Sequence, residues 1–244
     1  LSARQTLETH YRHMMDRERA LLARRLALSA GDVLSVGAGW HPGRHLFPAP
    51  AFRLTAVDAD PDRVRGVLES GRADAAYVGQ AGKLAHADEP AHAGEPAHAG
   101  DPALGHRRFD AVLYRLVLHH LVFQAPLQPI FDEAARLLRP GGAMIAIEPG
   151  SWHPVGLALT AANRAGIATS IHGTPDDIPL SPRLLLAAAR RAGLTPELHA
   201  VTYTWRRLPP ALQRALQPLD APLGSRPRSA PFGHTLMLIA RRPL

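Results

Sequence analysis

Short apolar runs alternate with amphipathic segments along most of the chain. Segments in which apolar residues recur every three or four positions predict helices, and short continuous apolar runs predict buried strands. The predicted helices cover residues 4–28, 60–69, 127–138 and 182–192, and the predicted strands cover residues 33–36, 52–57, 75–78, 110–114, 143–147, 198–205 and 235–240. Strands that alternate with helices are typical of a doubly wound α/β sheet.

The last two predicted strands break this alternation. A proline-rich stretch, and no helix, is expected to join them. Without a crossover helix, two sequential strands pair in opposite directions. We therefore expect a mostly parallel sheet with an antiparallel C-terminal strand.

Length and composition favour one domain over residues 1–244, with residues 1–30 as a helical cap. A hydrophobic content of 46% is sufficient for one sizeable core. No apolar run is long enough to span a membrane, and the N-terminal segment lacks the pattern of a secretory signal. We therefore expect a cytoplasmic protein without a membrane partner. The absence of cysteine excludes disulfides, thiolate metal sites and a cysteine nucleophile.

The net charge of +7 raises the question of a nucleic-acid partner. The arginines are scattered in pairs over separate predicted elements, and no long basic run occurs. A solvated basic surface is the simpler interpretation, and no nucleic-acid partner is expected.

The composition of residues 84–105 predicts a disordered, low-complexity insertion. Within them, HADEPA, HAGEPA and HAGDPA follow one another without a large apolar residue, so this segment cannot form a core. The recurring histidines, His86, His92 and His98, suggest either weak metal binding or a repeat expansion in a tolerant loop. We favour the expansion, and no metal site is predicted.

A glycine-rich turn follows the first predicted strand, with Gly37 and Gly39 in the sequence GAGWHPG. Glycine lets the backbone turn sharply and approach a ligand at the carboxyl ends of parallel strands. Asp58 ends the second strand, 19 residues after Gly39. A carboxylate at that place can accept hydrogen bonds from both hydroxyls of a ribose. Together these features predict an adenosine-type cofactor.

Four sequence segments occur in a fixed order over roughly residues 30–150. They are VLSVGAG, LTAVDADPDRV, FDAVLYRLVLHHL and ARLLRPGGAMIAIEPG. In this order the chain resembles the small-molecule branch of the class I S-adenosylmethionine-dependent methyltransferases. The resemblance implies a Rossmann-like, seven-stranded sheet and S-adenosylmethionine as the cofactor. It also implies cofactor contacts from Ser35, Gly37, Ala38, Gly39, Trp40, Asp58, Ala59, Gln80, Ala81 and Arg115.

The chain departs from the pattern of this family at several positions. Ser35 stands where an acidic residue is usual, and His41 stands where a third glycine is usual, with the next glycine at Gly43. Either cofactor binding is weaker, or another carboxylate replaces the missing one. Gln80 stands at a second acidic position, where its side-chain oxygen can still accept a hydrogen bond from an adenine amino group.

Candidate catalytic residues follow the fourth and fifth strands. The imidazoles of His119 and His120 can take a proton from a hydroxyl group, or they can pack against the following helix. Glu148 can orient a substrate, or it can bind back to a loop. Residues 149–181 are predicted to form a substrate lid. The candidate substrate contacts are Trp152, His153 and His172.

The leading hypothesis is methyl transfer from S-adenosylmethionine to a small-molecule acceptor, at a hydroxyl of a secondary metabolite or a glycolipid-type substrate. An RNA or protein methyltransferase, a catalytically silent binding protein and a dinucleotide oxidoreductase are the alternatives. The sequence predicts no oligomeric state.

Overall fold

The computed structural model describes residues 3–84, 104–122, 126–165 and 178–244. The three histidine-bearing repeats of residues 86–103 lie outside these ranges, and so does His172. The insertion and most of the lid beyond residue 165 therefore stay predictions.

The described residues form seven strands and eight α-helices. The strands are β1 (Gly31–Val36), β2 (Phe52–Asp58), β3 (Ala75–Val78), β4 (Phe109–Arg115), β5 (Leu138–Pro149), β6 (Thr195–Thr202) and β7 (Thr235–Arg241). The helices are α1 (Ala3–Arg25), α2 (Pro61–Glu69), α3 (Leu118–Leu121), α4 (Leu127–Leu137), α5 (Pro154–Arg164), α6 (Pro182–Arg191), α7 (Pro210–Leu216) and α8 (Asp220–Gly224).

All seven strands lie in one sheet, in the order β3-β2-β1-β4-β5-β7-β6. Strands β1 to β5 run parallel to one another, whereas β7 lies antiparallel to both β5 and β6. This arrangement confirms the predicted doubly wound sheet with an antiparallel C-terminal strand. The strand order changes direction between β1 and β4, and open α/β sheets bind their ligands at such a point.

Both faces of the sheet are covered, which explains why its strands are continuous apolar runs. Leu34 of β1 packs on one side, in a cluster with residues of α4 and α6. Val33, its neighbour in the chain, packs on the other side against residues of α1. The alternation follows from the two-residue period of a strand. The predicted helical cap is thus one layer of the fold.

The structure corrects four details of the predicted elements. The proline-rich stretch between β6 and β7 contains α7 and α8, because Pro210 lies in the first turn of α7, where its missing N–H costs no hydrogen bond. β6 begins three residues earlier than predicted, at Thr195. β5 begins at Leu138 and takes in the Pro140–Gly142 segment that was predicted only to end a helix. α5 was not predicted.

Three charged side chains join the central strands at the edge where these strands begin. Arg139 of β5 donates from Nη2 to Asp32 of β1 over 2.8 Å and from Nη1 to Asp110 of β4 over 2.5 Å. The same Asp110 carboxylate accepts the backbone N–H of Asp32. These contacts lie opposite the edge that carries the glycine turn.

Among the helices of the described residues, none is both long and apolar enough to cross a membrane.

Candidate functional site

The glycine turn after β1 packs closely against the segment that follows β4. Gly37 has a φ of +64°, and a Cβ there would lie 2.2 Å from Cγ2 of Val117. Gly39 has a φ of +52°, but a Cβ there would meet nothing within 4 Å. Both backbones therefore need glycine. The first glycine is required by packing as well, and the second borders open space.

Asp58 holds this turn from the end of β2. One carboxylate oxygen accepts the backbone N–H of Gly39 over 2.7 Å, and the other accepts that of Asp60 over 3.0 Å. The guanidinium of Arg63 lies 3.9 Å away. The carboxylate is therefore fixed in position at the end of the sheet.

A cavity of about 650 Å³ opens beside the turn and Asp58. Its wall comes from the carboxyl ends of β2 and β4, from the loops that follow β1 to β4, and from residues of α2, α3 and α4. The lining residues are Gly37, Ala38, Gly39, Trp40, His41, Asp58, Ala59, Arg63, Gly79, Gln80, Ala81, Lys83, Arg115, Leu116, Val117, His120, Leu121 and Ile130. Nine of the ten sequence-predicted cofactor contacts are in this wall, and the exception is Ser35.

Ser35 is buried within β1, with 2% of its surface exposed, and it does not line the cavity. Its hydroxyl adds no charge to the ligand-binding edge. The described wall contains one carboxylate, that of Asp58, and three cationic side chains, those of Arg63, Lys83 and Arg115.

The three predicted catalytic residues form one connected group, but only His120 lines the cavity. Glu148 is fully buried at the end of β5, and its carboxylate accepts the backbone N–H groups of Val117 and Leu118 over 3.0 and 2.8 Å. It also accepts a hydrogen bond from Nδ1 of the buried His119 over 2.6 Å. Of the two roles considered for Glu148, binding back to a loop is the one observed.

The ring of His120 lies 4.0 Å from the ring of His119, centroid to centroid. Glu148 and His119 therefore position the segment that carries His120 into the wall.

Two of the predicted substrate contacts, Trp152 and His153, lie outside the cavity wall. The indole of Trp152 packs against Phe232 and beneath the guanidinium of Arg183. The Nε2 atom of His153 lies 3.1 Å from the carbonyl oxygen of Tyr203. Neither residue lines the cavity, and His172 lies outside the described residues.

Sequence reasoning missed the contribution of α1 to this end of the sheet. Glu18 is fully buried and forms an ion pair with Arg115, which lines the cavity. Glu18 and Arg115 are 97 residues apart. The glutamate resembles the other charged residues of its helix in sequence, so no local signal distinguishes it.

A second, much smaller cavity of about 10 Å³ lies between α1 and the segments that follow β6 and precede β7. Leu116 lines both cavities, and with a φ of 55° it is the one non-glycine residue of the described chain with positive φ. The Nδ1 atom of His10 and the Nε1 atom of Trp205 are buried here without a hydrogen-bond partner in the described structure. A space of this size holds about one water molecule.

Burial lowers the pKa of His10 to about 4, with the charges of His13 and Arg206 lowering it further and that of Asp220 opposing them. An unfolded histidine takes up its proton near pH 6.5. Since the unfolded chain binds this proton first, stability present above pH 6.5 is expected to fall as the pH approaches 4. The loss from His10 amounts to about 3 kcal/mol at most, at about 1.4 kcal/mol per pKa unit.

Urea unfolding of the wild type and of His10→Gln between pH 7 and pH 4 measures this loss. The variant should lose less stability over this range than the wild type. His106→Gln, at an exposed position, is the matched control. Its free energy of unfolding should fall with pH as steeply as that of the wild type. Equal slopes for the wild type and His10→Gln would contradict the prediction.

Comparisons with known proteins agree with this geometry. Residues 34–146 match the family model described as a methyltransferase domain. None of the curated proteins matches the sequence. Many solved structures match the fold.

One such structure is a methyltransferase of Thermotoga maritima described as a possible histamine N-methyltransferase, with 15% identity, a TM-score of 0.60, and 94% of this chain and 90% of that chain covered. Another comes from the complex of the Haloferax volcanii Trm112 methyltransferase activator with a methyltransferase. The match has 17% identity and a TM-score of 0.59, and it covers 99% of this chain and 94% of that chain. A third is an S-adenosylmethionine-dependent methyltransferase of Archaeoglobus fulgidus, with 12% identity, a TM-score of 0.57, and 93% and 94% covered.

At these identities the structural matches establish the fold alone, whereas the family model matches the sequence itself. The matched residues run from β1 into β5 and include the glycine turn, Asp58 and the segment of His120. Residues 34–146 therefore match a methyltransferase domain in sequence, and the chain as a whole has the fold of S-adenosylmethionine-dependent methyltransferases of known structure.

Proposed function

We propose that this protein is a methyltransferase and that it transfers the methyl group of S-adenosylmethionine to a hydroxyl group of a small molecule. The observation that supports an oxygen acceptor is the imidazole of His120 in the cavity wall. A hydroxyl group must lose its proton as it gains a methyl group, and an imidazole accepts protons near neutral pH.

The residues present fit the cofactor. The carboxylate of Asp58 suits the ribose hydroxyls, and the Gln80 side-chain oxygen suits the adenine amino group. Apolar side chains of Val117, Leu121 and Ile130 line the same cavity and suit the faces of an adenine ring. Open space beside Gly39, where a Cβ would meet nothing, leaves room for the ligand against the backbone.

The bound cofactor supplies a methyl carbon on a good leaving group, so the protein mainly has to orient the acceptor and exclude water. The Glu148–His119 pair fixes the backbone that carries His120, and His120 then receives the hydroxyl proton. The cavity volume lies in the range of about 300–1,000 Å³ that is usual for small-molecule sites, which suits the cofactor.

Calorimetry with S-adenosylmethionine and S-adenosylhomocysteine tests the cofactor, and transfer of a labelled methyl group tests the acceptor. A cell extract would be separated into dialysable small molecules, RNA and protein before labelling. Label is expected in the small-molecule fraction, as a base-stable ether. Label confined to RNA or protein would overturn the small-molecule acceptor.

His120→Ala is expected to lower the transfer rate by roughly 100-fold or more, the usual contribution of a general base. Its affinity for S-adenosylhomocysteine should stay within a few-fold of the wild type. Leu212→Ala, on the exposed surface of α7, is the control and should change neither quantity. Unchanged transfer by His120→Ala would remove the histidine from the mechanism.

A further inference from the structure

A buried ion pair connects α1 to the wall of the cofactor cavity. Glu18 is fully buried on α1, and Arg115 stands at the end of β4. The guanidinium donates from Nε to one Glu18 oxygen over 3.0 Å and from Nη2 to the other over 3.2 Å. His45 donates from Nε2 to the same carboxylate over 2.8 Å. The carboxylate thus has three donors, two from Arg115 of β4 and one from His45 in the loop between β1 and β2.

The charged form of this pair is stable in the fold. Burial raises the pKa of Glu18, but the charges and hydrogen bonds of Arg115 and His45 outweigh burial and hold the pKa below its usual range. A buried carboxylate is tolerated when it is paired and its oxygens are hydrogen-bonded. Glu18 therefore holds Arg115 in one orientation at the cavity.

The guanidinium keeps free donors on its opposite side. Nε and Nη2 face Glu18, whereas Nη1 has no hydrogen bond among the described residues. About one eighth of the side chain is exposed (12%), and it lines the cavity beside the glycine turn. A guanidinium presents a planar fork that matches the geometry of a carboxylate.

Charge explains why an arginine at this place needs a partner. S-adenosylmethionine carries a sulfonium and an ammonium group, and an isolated arginine would repel both. Glu18 neutralises Arg115, so that the guanidinium offers directed N–H groups without adding net charge.

We propose that Arg115, oriented by Glu18, binds the α-carboxylate of the methyl donor. Arg115 is the binding residue and Glu18 is a positioning residue on α1. The proposal rests on binding of S-adenosylmethionine, and on no property of the acceptor.

Two ligands separate this subsite from the rest of the cavity. S-adenosylhomocysteine carries the α-carboxylate, whereas 5′-methylthioadenosine has the same adenosine and sulfur but no amino-acid portion. By calorimetry, Arg115→Met is expected to bind S-adenosylhomocysteine roughly 10- to 100-fold more weakly than the wild type does, as for a lost hydrogen bond to a charged group. Its affinity for 5′-methylthioadenosine should change less than about twofold.

Arg63→Met is the matched control, because Arg63 also lines the cavity but pairs with Asp58 and Asp60. It removes the same charge without removing the carboxylate contact, so it should change both affinities by a similar factor. If Arg115→Met does the same, the carboxylate subsite is refuted. If the wild type binds neither ligand, the cofactor assignment itself fails, which is a different result.

Glu18→Gln tests the positioning role, because it keeps the shape of the side chain and removes its charge. It should lower the affinity for S-adenosylhomocysteine severalfold and leave the affinity for 5′-methylthioadenosine almost unchanged. Glu18→Asp, which keeps the charge, should recover part of the lost affinity. Combined with Arg115→Met, Glu18→Gln should add no further loss, since both act on one contact. A purely structural role would instead lower the melting temperature and weaken both ligands together. If Arg115→Met does not fold, Arg115→Lys keeps the charge without the fork and should show the same selective loss.

Discussion

Asp58→Ala is expected to weaken the binding of S-adenosylmethionine by roughly 30- to 1,000-fold. The carboxylate faces the cavity at the end of β2 and suits both ribose hydroxyls. A hydrogen bond to a charged group contributes about 1.5–3 kcal/mol, so the loss of one such bond, or the partial loss of two, gives a weakening of this size. The same carboxylate accepts the backbone N–H of Gly39, so its removal also loosens the glycine turn. Both effects act in the same direction, and calorimetry with the purified variant measures their sum.

The ribose contribution is isolated with a 2′-deoxy analogue of S-adenosylhomocysteine. The wild type should bind the analogue more weakly than the parent ligand, whereas Asp58→Ala should hardly distinguish them. Asp62→Ala, at an exposed position on α2, is the control and should bind both ligands as the wild type does. If Asp58→Ala still discriminates fully between the ligands, the ribose assignment is wrong.

Glu148→Ala is expected to lower the free energy of unfolding by about 3–5 kcal/mol, the usual cost of breaking a buried charged network. The substitution leaves the N–H groups of Val117 and Leu118, and Nδ1 of His119, without their acceptor. Leu118 and His119 are fully buried. Each unsatisfied buried donor costs about 1–3 kcal/mol. Urea unfolding at neutral pH measures the loss.

Glu148→Gln keeps one acceptor oxygen and should lose less stability than Glu148→Ala. Glu69→Ala, at the exposed end of α2, should stay within about 0.5 kcal/mol of the wild type. A Glu148→Ala variant as stable as Glu69→Ala would mean that the segment after β4 does not depend on this carboxylate. Because Val117 also lines the cavity, the variant is expected to bind S-adenosylhomocysteine more weakly as well.

Those parts of the site that depend on local chain geometry were predictable from the sequence. Gly37 and Gly39 are needed because the backbone turns there with positive φ, and Asp58 ends a strand that a short apolar run identifies. Parallel strands bring their carboxyl ends to one edge, so the topology alone places these residues together. Gln80 and Arg115 were added by the resemblance to the methyltransferase family, and both lie in the cavity wall.

Contacts between residues far apart in sequence were not predictable in this way. Glu18 is one of several charged residues on α1, and nothing in the local pattern shows that it faces inward to meet Arg115. For Glu148, the sequence left a substrate role and a loop role open, because the choice depends on the path of residues 117–119. Trp152 and His153 follow β5 at the correct edge, but their side chains pack against Phe232 and Tyr203 instead.

The Arg139 contacts with Asp32 and Asp110 bear on how this protein could be engineered. They join β1, β4 and β5 at the edge where these strands begin, whereas every loop of the cofactor cavity leaves from the edge where the strands end. Libraries that diversify the cavity loops would therefore leave the Arg139 ion pairs and the buried strand pairs unchanged. Acceptor specificity can accordingly be evolved on a scaffold whose central strands stay fixed.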